Sequence, residues 1–178
     1  MHFSQARLTV RLNAAFAAVL VVTLVLAGFA ISRVNSIETA LVEVESFHNA
    51  QLEPLYAARE ALGQTGMAAR NAFIFQDAAA ANRELDILDA QKAAYLAAMA
   101  KLDPVLAGNA QYGKVKEGMT AMARELERPR KYRAAGEMEA YGTFLVQECS
   151  PLRRQIVADI AVLVQELQGR TAQAGAAA

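Results

Sequence analysis

The stretch RELERPRKYRAAG, Arg124 to Gly136, sets five basic side chains (Arg124, Arg128, Arg130, Lys131 and Arg133) within ten residues, around one proline and one tyrosine. On a helix, Arg124, Arg128 and Tyr132 fall at i, i+4 and i+8 and share one stripe, while Arg130 and Arg133 point elsewhere. Arginine offers a planar donor fork that suits a carboxylate, and tyrosine adds a hydroxyl and an aromatic wall. Such a stripe could line a socket for a small organic anion. The plainer reading is a solvated face, because Glu125, Glu127, Glu137 and Glu139 are interleaved with the cations and can pair with them for little energy.

Other chemistries lack their residues. Catalysis needs a nucleophile, a base and oxyanion donors that converge, and the sequence offers no such set. Cys149 is the single cysteine, which excludes an intrachain disulfide, a CxxC zinc site and CxxCH haem attachment. A di-iron bundle needs a pair of Glu-x-x-His motifs, which the chain does not have. The expectation is a non-enzymatic protein without cofactor or metal. His48 reads as a polar residue that sets helix register, Cys149 as an inert buried thiol, and Met67, Met99, Met119, Met122 and Met138 as core or near-core fillers.

The location of the basic cluster decides its partner. Among 178 residues, 18 basic side chains balance 18 acidic ones, so no global charge draws the chain to a polyanion. Between Arg11 and Arg33 lie 21 uncharged residues, LNAAFAAVLVVTLVLAGFAIS. At about 1.5 Å per residue they span a bilayer core of roughly 30 Å. Arg7 and Arg11 precede this helix and no acidic residue occurs in the first 37 positions, which leaves residues 1–11 cytoplasmic and sends residues 33–170 outward. A cleavable signal peptide is the rival, with a small-x-small pattern at Gly28-Phe29-Ala30, but the apolar run at 12–32 exceeds a signal peptide's usual length. With the cluster outside the membrane, nucleic acid is excluded as a partner.

Sparse glycine and proline and only 7% aromatic residues favour an all-α fold. Val34, Ile37, Leu41, Val44, His48, Gln51, Leu55, Ala58, Leu62, Ala69 and Phe73 recur in heptad fashion, which predicts a first helix over about 33–76, continuous with the transmembrane helix and kinked at Pro54. A second helix over about 79–106 starts near Asp77 and stops at Pro104 and Gly108-Asn109. A third runs over about 110–135, kinked at Pro129 and ended by Gly136. The fourth, about 138–170, carries the clearest stripe: Leu145, Cys149, Leu152, Ile156, Ile160, Leu163 and Leu167, with Pro151 as a further kink. Short turns between four amphipathic helices make an antiparallel up-down-up-down four-helix bundle. Arg70 and Asn71 near the end of the first helix, the stripe of Arg124, Arg128 and Tyr132, and Arg153 near the start of the fourth should then share the membrane-distal end.

The motifs QARLTVRLNAAF before the anchor, LEPLYAAREAL, AARNAFIFQD and AAGEMEAYGTFLVQECSPLRRQI follow one another in an order that resembles the amino-terminal part of a methyl-accepting chemotaxis protein. The resemblance covers essentially the whole chain. It implies a bacterial inner-membrane transducer whose periplasmic sensor bundle is a homodimer packed through its first helix. It also implies capture of a small amino acid or carboxylate near the distal end, using arginines of the first helix. Arg70 matches such a position, while Arg128 and Tyr132 match in region only. Leu152 stands where aspartate receptors of the family have a ligand-holding threonine, which favours a carboxylate with an apolar or aromatic body. A second membrane helix, a HAMP linker and a signalling hairpin follow in that family, so residues 171–178 read as the lead into a missing second span. The alternatives are a bundle that docks a periplasmic binding protein, or the same input domain on a sensor kinase or cyclase.

Overall fold

In a computed structural model the backbone of residues 2–177 and the side chains of residues 13, 14, 16–170 and 172 are described. The side chains of Arg7 and Arg11, on which the expected orientation rests, and most of those in the 171–178 tail lie outside that set. The described chain is entirely helix and turn, and it divides into two units, Met1–Glu45 and Ser46–Ala178.

The first unit belongs to α1 (His2–Phe47). Its apolar window reaches a mean hydropathy of 2.2 with none of it buried in the protein, so this helix is long and apolar enough to cross a membrane. Hydroxyls within it bond back to the helix: Thr23 Oγ1 donates to the Val19 carbonyl at 2.8 Å and Ser36 Oγ to Ser32 at 3.0 Å. For Thr23, inside the apolar run, that matters in lipid, because no water is present there to satisfy the hydroxyl. Val34, Ile37, Leu41 and Val44 are exposed.

The second unit contains α2 (Glu53–Ile74), α3 (Ala78–Leu102), α4 (Ala110–Glu125), α5 (Arg128–Ala135), α6 (Met138–Phe144) and α7 (Ser150–Ala177). Side-chain caps start two of them. Asp77 Oδ2 accepts from the Ala80 N–H at 2.7 Å and Asn109 Oδ1 from the Tyr112 N–H at 2.8 Å. Gly136, at φ 72°, closes α5 in the left-handed conformation that only glycine adopts cheaply.

Each helix-interior proline has a defined structural consequence. A proline ring clashes with the carbonyl four residues back. For Pro54 that residue is Ala50 and for Pro151 it is Gln147, the central residues of two π-turns, His48–Leu52 and Leu145–Cys149. The wider turn carries the carbonyl away from the ring, so the helix continues through the proline. For Pro129 the residue is Glu125, the last of α4, and there the predicted kink of a single third helix becomes a break into α4 and α5. A π-turn also holds one residue more than an α-turn, so a seven-residue spacing read through 48–52 no longer marks one face.

One apolar core joins all these helices, with Leu55, Leu62, Leu85, Leu88, Tyr95, Met119, Phe144, Ile156 and Leu163 fully or almost fully buried. The predicted stripe of the last helix is the core face: Leu145, Cys149, Ile156, Ile160, Leu163 and Leu167 are buried, and Leu152 is half-buried. Tyrosine hydroxyls pin the helices together, Tyr112 donating to the Met99 carbonyl at 2.9 Å and Tyr141 to Ala69 at 2.6 Å. Burial pushes the Tyr95, Tyr112 and Tyr141 phenols well above their ordinary range. The buried side of α2 is built mainly from small residues, Ala58, Ala61, Thr65, Gly66, Ala68, Ala69 and Ala72, and lies chiefly against α3. Met67 departs from its expected core role, being 49% exposed, because it sits on the opposite side of α2 from these residues.

Candidate anion-binding site

Two of the five cations in the basic cluster, Arg128 and Arg130, are neutralised in place. Arg128 Nη1 donates to Glu125 Oε2 at 2.7 Å and to Glu148 Oε2 at 2.5 Å, while Nε and Nη2 reach the Tyr132 hydroxyl at 3.1 and 2.5 Å. Its guanidinium carbon lies 4.5 Å from the Phe144 ring centroid and 5.5 Å from that of Tyr132. Tyr132 in turn stacks on Tyr141 with centroids 5.7 Å apart. Arg128 and Tyr132 therefore do share a stripe, but the donor fork is already spent on the protein's own carboxylates. Arg130 Nη2 bonds Asp86 at 2.9 Å and Asp89 at 2.8 Å, and Arg133 Nη1 donates to the Phe75 carbonyl at 3.0 Å. Arg124 and Lys131 are exposed.

The open hollow beside Tyr132, about 640 Å³, is lined by Glu137, Glu139 and Glu148 as well as Met138 and Thr143. Three carboxylates make it hostile to an anion. Glu125 as a partner of the cluster was visible from its i, i+3 spacing. Glu148, Asp86 and Asp89 were not, since they lie 20 to 44 residues from the arginines they bind.

Hydrogen bonds from Arg128 hold the Glu148 carboxyl below its ordinary value of 4.5. A carboxyl whose folded pKa lies below its unfolded one contributes stability above the unfolded value and loses it as pH falls through the folded value. The Glu148 carboxyl is expected to titrate below 4.5 in a carboxyl NMR titration, and to return toward it in Arg128→Met. An unchanged midpoint in that variant would show that the pair does not form in solution.

The other predicted residues lie on α2 and α7. Asn71 Nδ2 donates to Glu84 Oε2 at 3.2 Å, which ties α2 to α3 and uses the amide structurally. Arg70 is exposed, with no carboxylate partner among the described residues. Arg153 has no carboxylate either, and unlike Arg70 it is half-buried. Its Nη2 makes only long contacts, 3.3 Å to Thr65 Oγ1 and 3.6 Å to Cys149 Sγ, and its Nε is buried without an acceptor. The Thr65 hydroxyl is committed as a donor to the Leu62 carbonyl at 2.7 Å, so it can only accept from Arg153. Burial, and secondarily the like charge of Arg70, pull the Arg153 pKa below its ordinary value, with the Cys149 thiol opposing them. Burial likewise pushes the Cys149 thiol up, which keeps it protonated and unreactive.

Neither Arg70 nor Arg153 has a carboxylate bond among the described residues, and the charge of Arg70 acts on Arg153. Sequence reasoning named both residues but missed Thr65 and Gly66, which face Arg153 from 88 and 87 positions away. Among the described residues no group of His, Cys, Asp and Glu could hold a metal ion. Comparison of the chain with protein-family models, with curated proteins and with solved structures found no match.

Proposed function

We propose that this chain is the input portion of a bacterial membrane receptor of the chemotaxis-transducer type. In this reading α1 anchors it in the inner membrane, and residues 33–170 form a periplasmic up-down-up-down four-helix bundle that senses a small organic anion. The module binds rather than catalyses. The observation that carries the reading is the half-buried guanidinium of Arg153, which has no carboxylate partner and a buried Nε without an acceptor, since withdrawing a cation from water is costly unless something supplies a partner. The long apolar α1, the short turns between helices and the single shared core support the architecture.

The ligand site moves accordingly from Arg128 to the pair Arg70 and Arg153. The proposed homodimer seam moves too. Leu55, Ala58, Leu62 and Ala69 are fully buried inside the unit, so a partner would meet the exposed Tyr56, Gly63 and Arg70, spaced by seven, with Met67 and Ile74 beside them. Binding would then pass through the membrane as a displacement of one helix against another.

Calorimetric titration of the full chain in detergent micelles with amino acids and with mono-, di- and tricarboxylates tests the proposal. Saturable binding is expected, abolished by Arg70→Ala or Arg153→Ala and retained in Arg128→Ala. Silence from every compound with a folded protein would sink the anion reading and favour a surface that docks another protein.

A further inference from the structure

Arg128 and Arg130 are bonded to carboxylates, whereas the Arg153 guanidinium rests against the backbone of Gly66. A methyl group on Gly66 would overlap that guanidinium, its position lying 2.5 Å from the guanidinium carbon. In this place Nε forgoes water and finds no acceptor, and Nη2 keeps two contacts of 3.3 and 3.6 Å, both long for a cation. Packing against α2 is thus offset by lost hydration of the guanidinium. Arg70, one helical turn along α2 from Gly66 and exposed, lies close enough for its charge to act on Arg153.

We propose that Gly66 is a stowage point for the Arg153 guanidinium, and that a small carboxylate draws it out by taking two parallel hydrogen bonds from its Nε–Nη2 edge, with Arg70 as the second cation. The inference deepens the anion-sensor reading and rests on it. A carboxylate that binds only the drawn-out form favours one arrangement of the α2–α7 contact over the other, which is the differential interaction that a signal requires. It also relieves the like-charge pair.

Gly66→Ala and Arg153→Lys separate the outcomes, using the full chain in micelles titrated with sodium succinate and sodium acetate at constant ionic strength. Alanine denies the stowed position, so Gly66→Ala should bind carboxylate about tenfold more tightly if roughly nine-tenths of the wild-type molecules are stowed. Lysine keeps the charge but has no two-donor edge, so Arg153→Lys should lose binding. In the unmodified protein, the ¹⁵N resonance of Arg153 Nε should shift as succinate saturates. Weaker or unchanged binding in a folded Gly66→Ala protein, wild-type binding in Arg153→Lys, or an unmoved Nε resonance at saturation would each overturn the stowage while leaving the sensor reading intact. No binding of either carboxylate to any form would also overturn it, and the sensor reading falls with it only if the wider panel is silent as well.

Discussion

Arg153→Met is expected to raise the unfolding midpoint of the helical unit. Removing a half-buried cation from a protein normally breaks an ion pair and destabilises. Here no carboxylate is left behind, because the guanidinium's neighbours are a hydroxyl, a thiol and the Gly66 backbone. Methionine keeps a long flexible stem for packing and removes the desolvated charge. The gain should be about 1–2 kcal/mol, the lower part of the range for replacing buried charges by apolar groups. That corresponds to roughly 3–6 °C in a thermal melt followed by circular dichroism. A clear fall in midpoint would mean that the guanidinium is better satisfied than its contacts indicate, and the case for an anion there would lose its foundation. A rise would show stability given up for a binding group, as at many functional sites.

The largest loss is expected from Phe144→Ala. Phe144 is fully buried at the end of α6, 5.8 Å from the Tyr132 ring and 4.5 Å from the Arg128 guanidinium carbon. Its removal empties the corner where α5, α6 and the second π-turn meet, at about 3–5 kcal/mol. Phe144→Leu keeps most of the volume and should cost less than about 1.5 kcal/mol. The gap between the two in denaturant titrations measures the cavity. The aromatic contact with Arg128, worth about 0.5–1 kcal/mol at a partly exposed site, is a minor part of either change. Losses below about 1 kcal/mol for alanine would contradict the burial.

The sequence disclosed the helices better than their joints. Period and caps placed the turns at Asp77, Gly108-Asn109 and Gly136, because those signals are local and each residue has one dominant reason to be there. The prolines were visible too, but not their outcomes. Pro54 and Pro151 are absorbed by π-turns whereas Pro129 ends a helix, and that choice depends on packing around each carbonyl rather than on the proline. The heptad from Val34 to Phe73 mixed exposed and buried positions, since Val34 to Val44 lie in the first unit, where every described side chain is exposed, and packing begins only with the second. In the site, residue type alone singled out the arginines. Which of them keeps a free charge was illegible, because Glu148, Asp86 and Asp89 reach Arg128 and Arg130 across the fold and Gly66 contributes no side chain to notice.

The small-residue side of α2 has a mechanical consequence. Helices normally interlock through ridges and grooves of side chains, and a large residue seated in a groove must climb out before its helix can advance. Alanine, glycine and threonine, with Leu62 as the one large exception, give the buried side of α2 a shallow relief from Ala58 to Ala72. Axial travel of a fraction of a turn would slide mostly small groups past their neighbours, and the resistance to such travel would come from Leu62 and from the polar pins to α6 and α3, Tyr141 on Ala69 and Asn71 on Glu84.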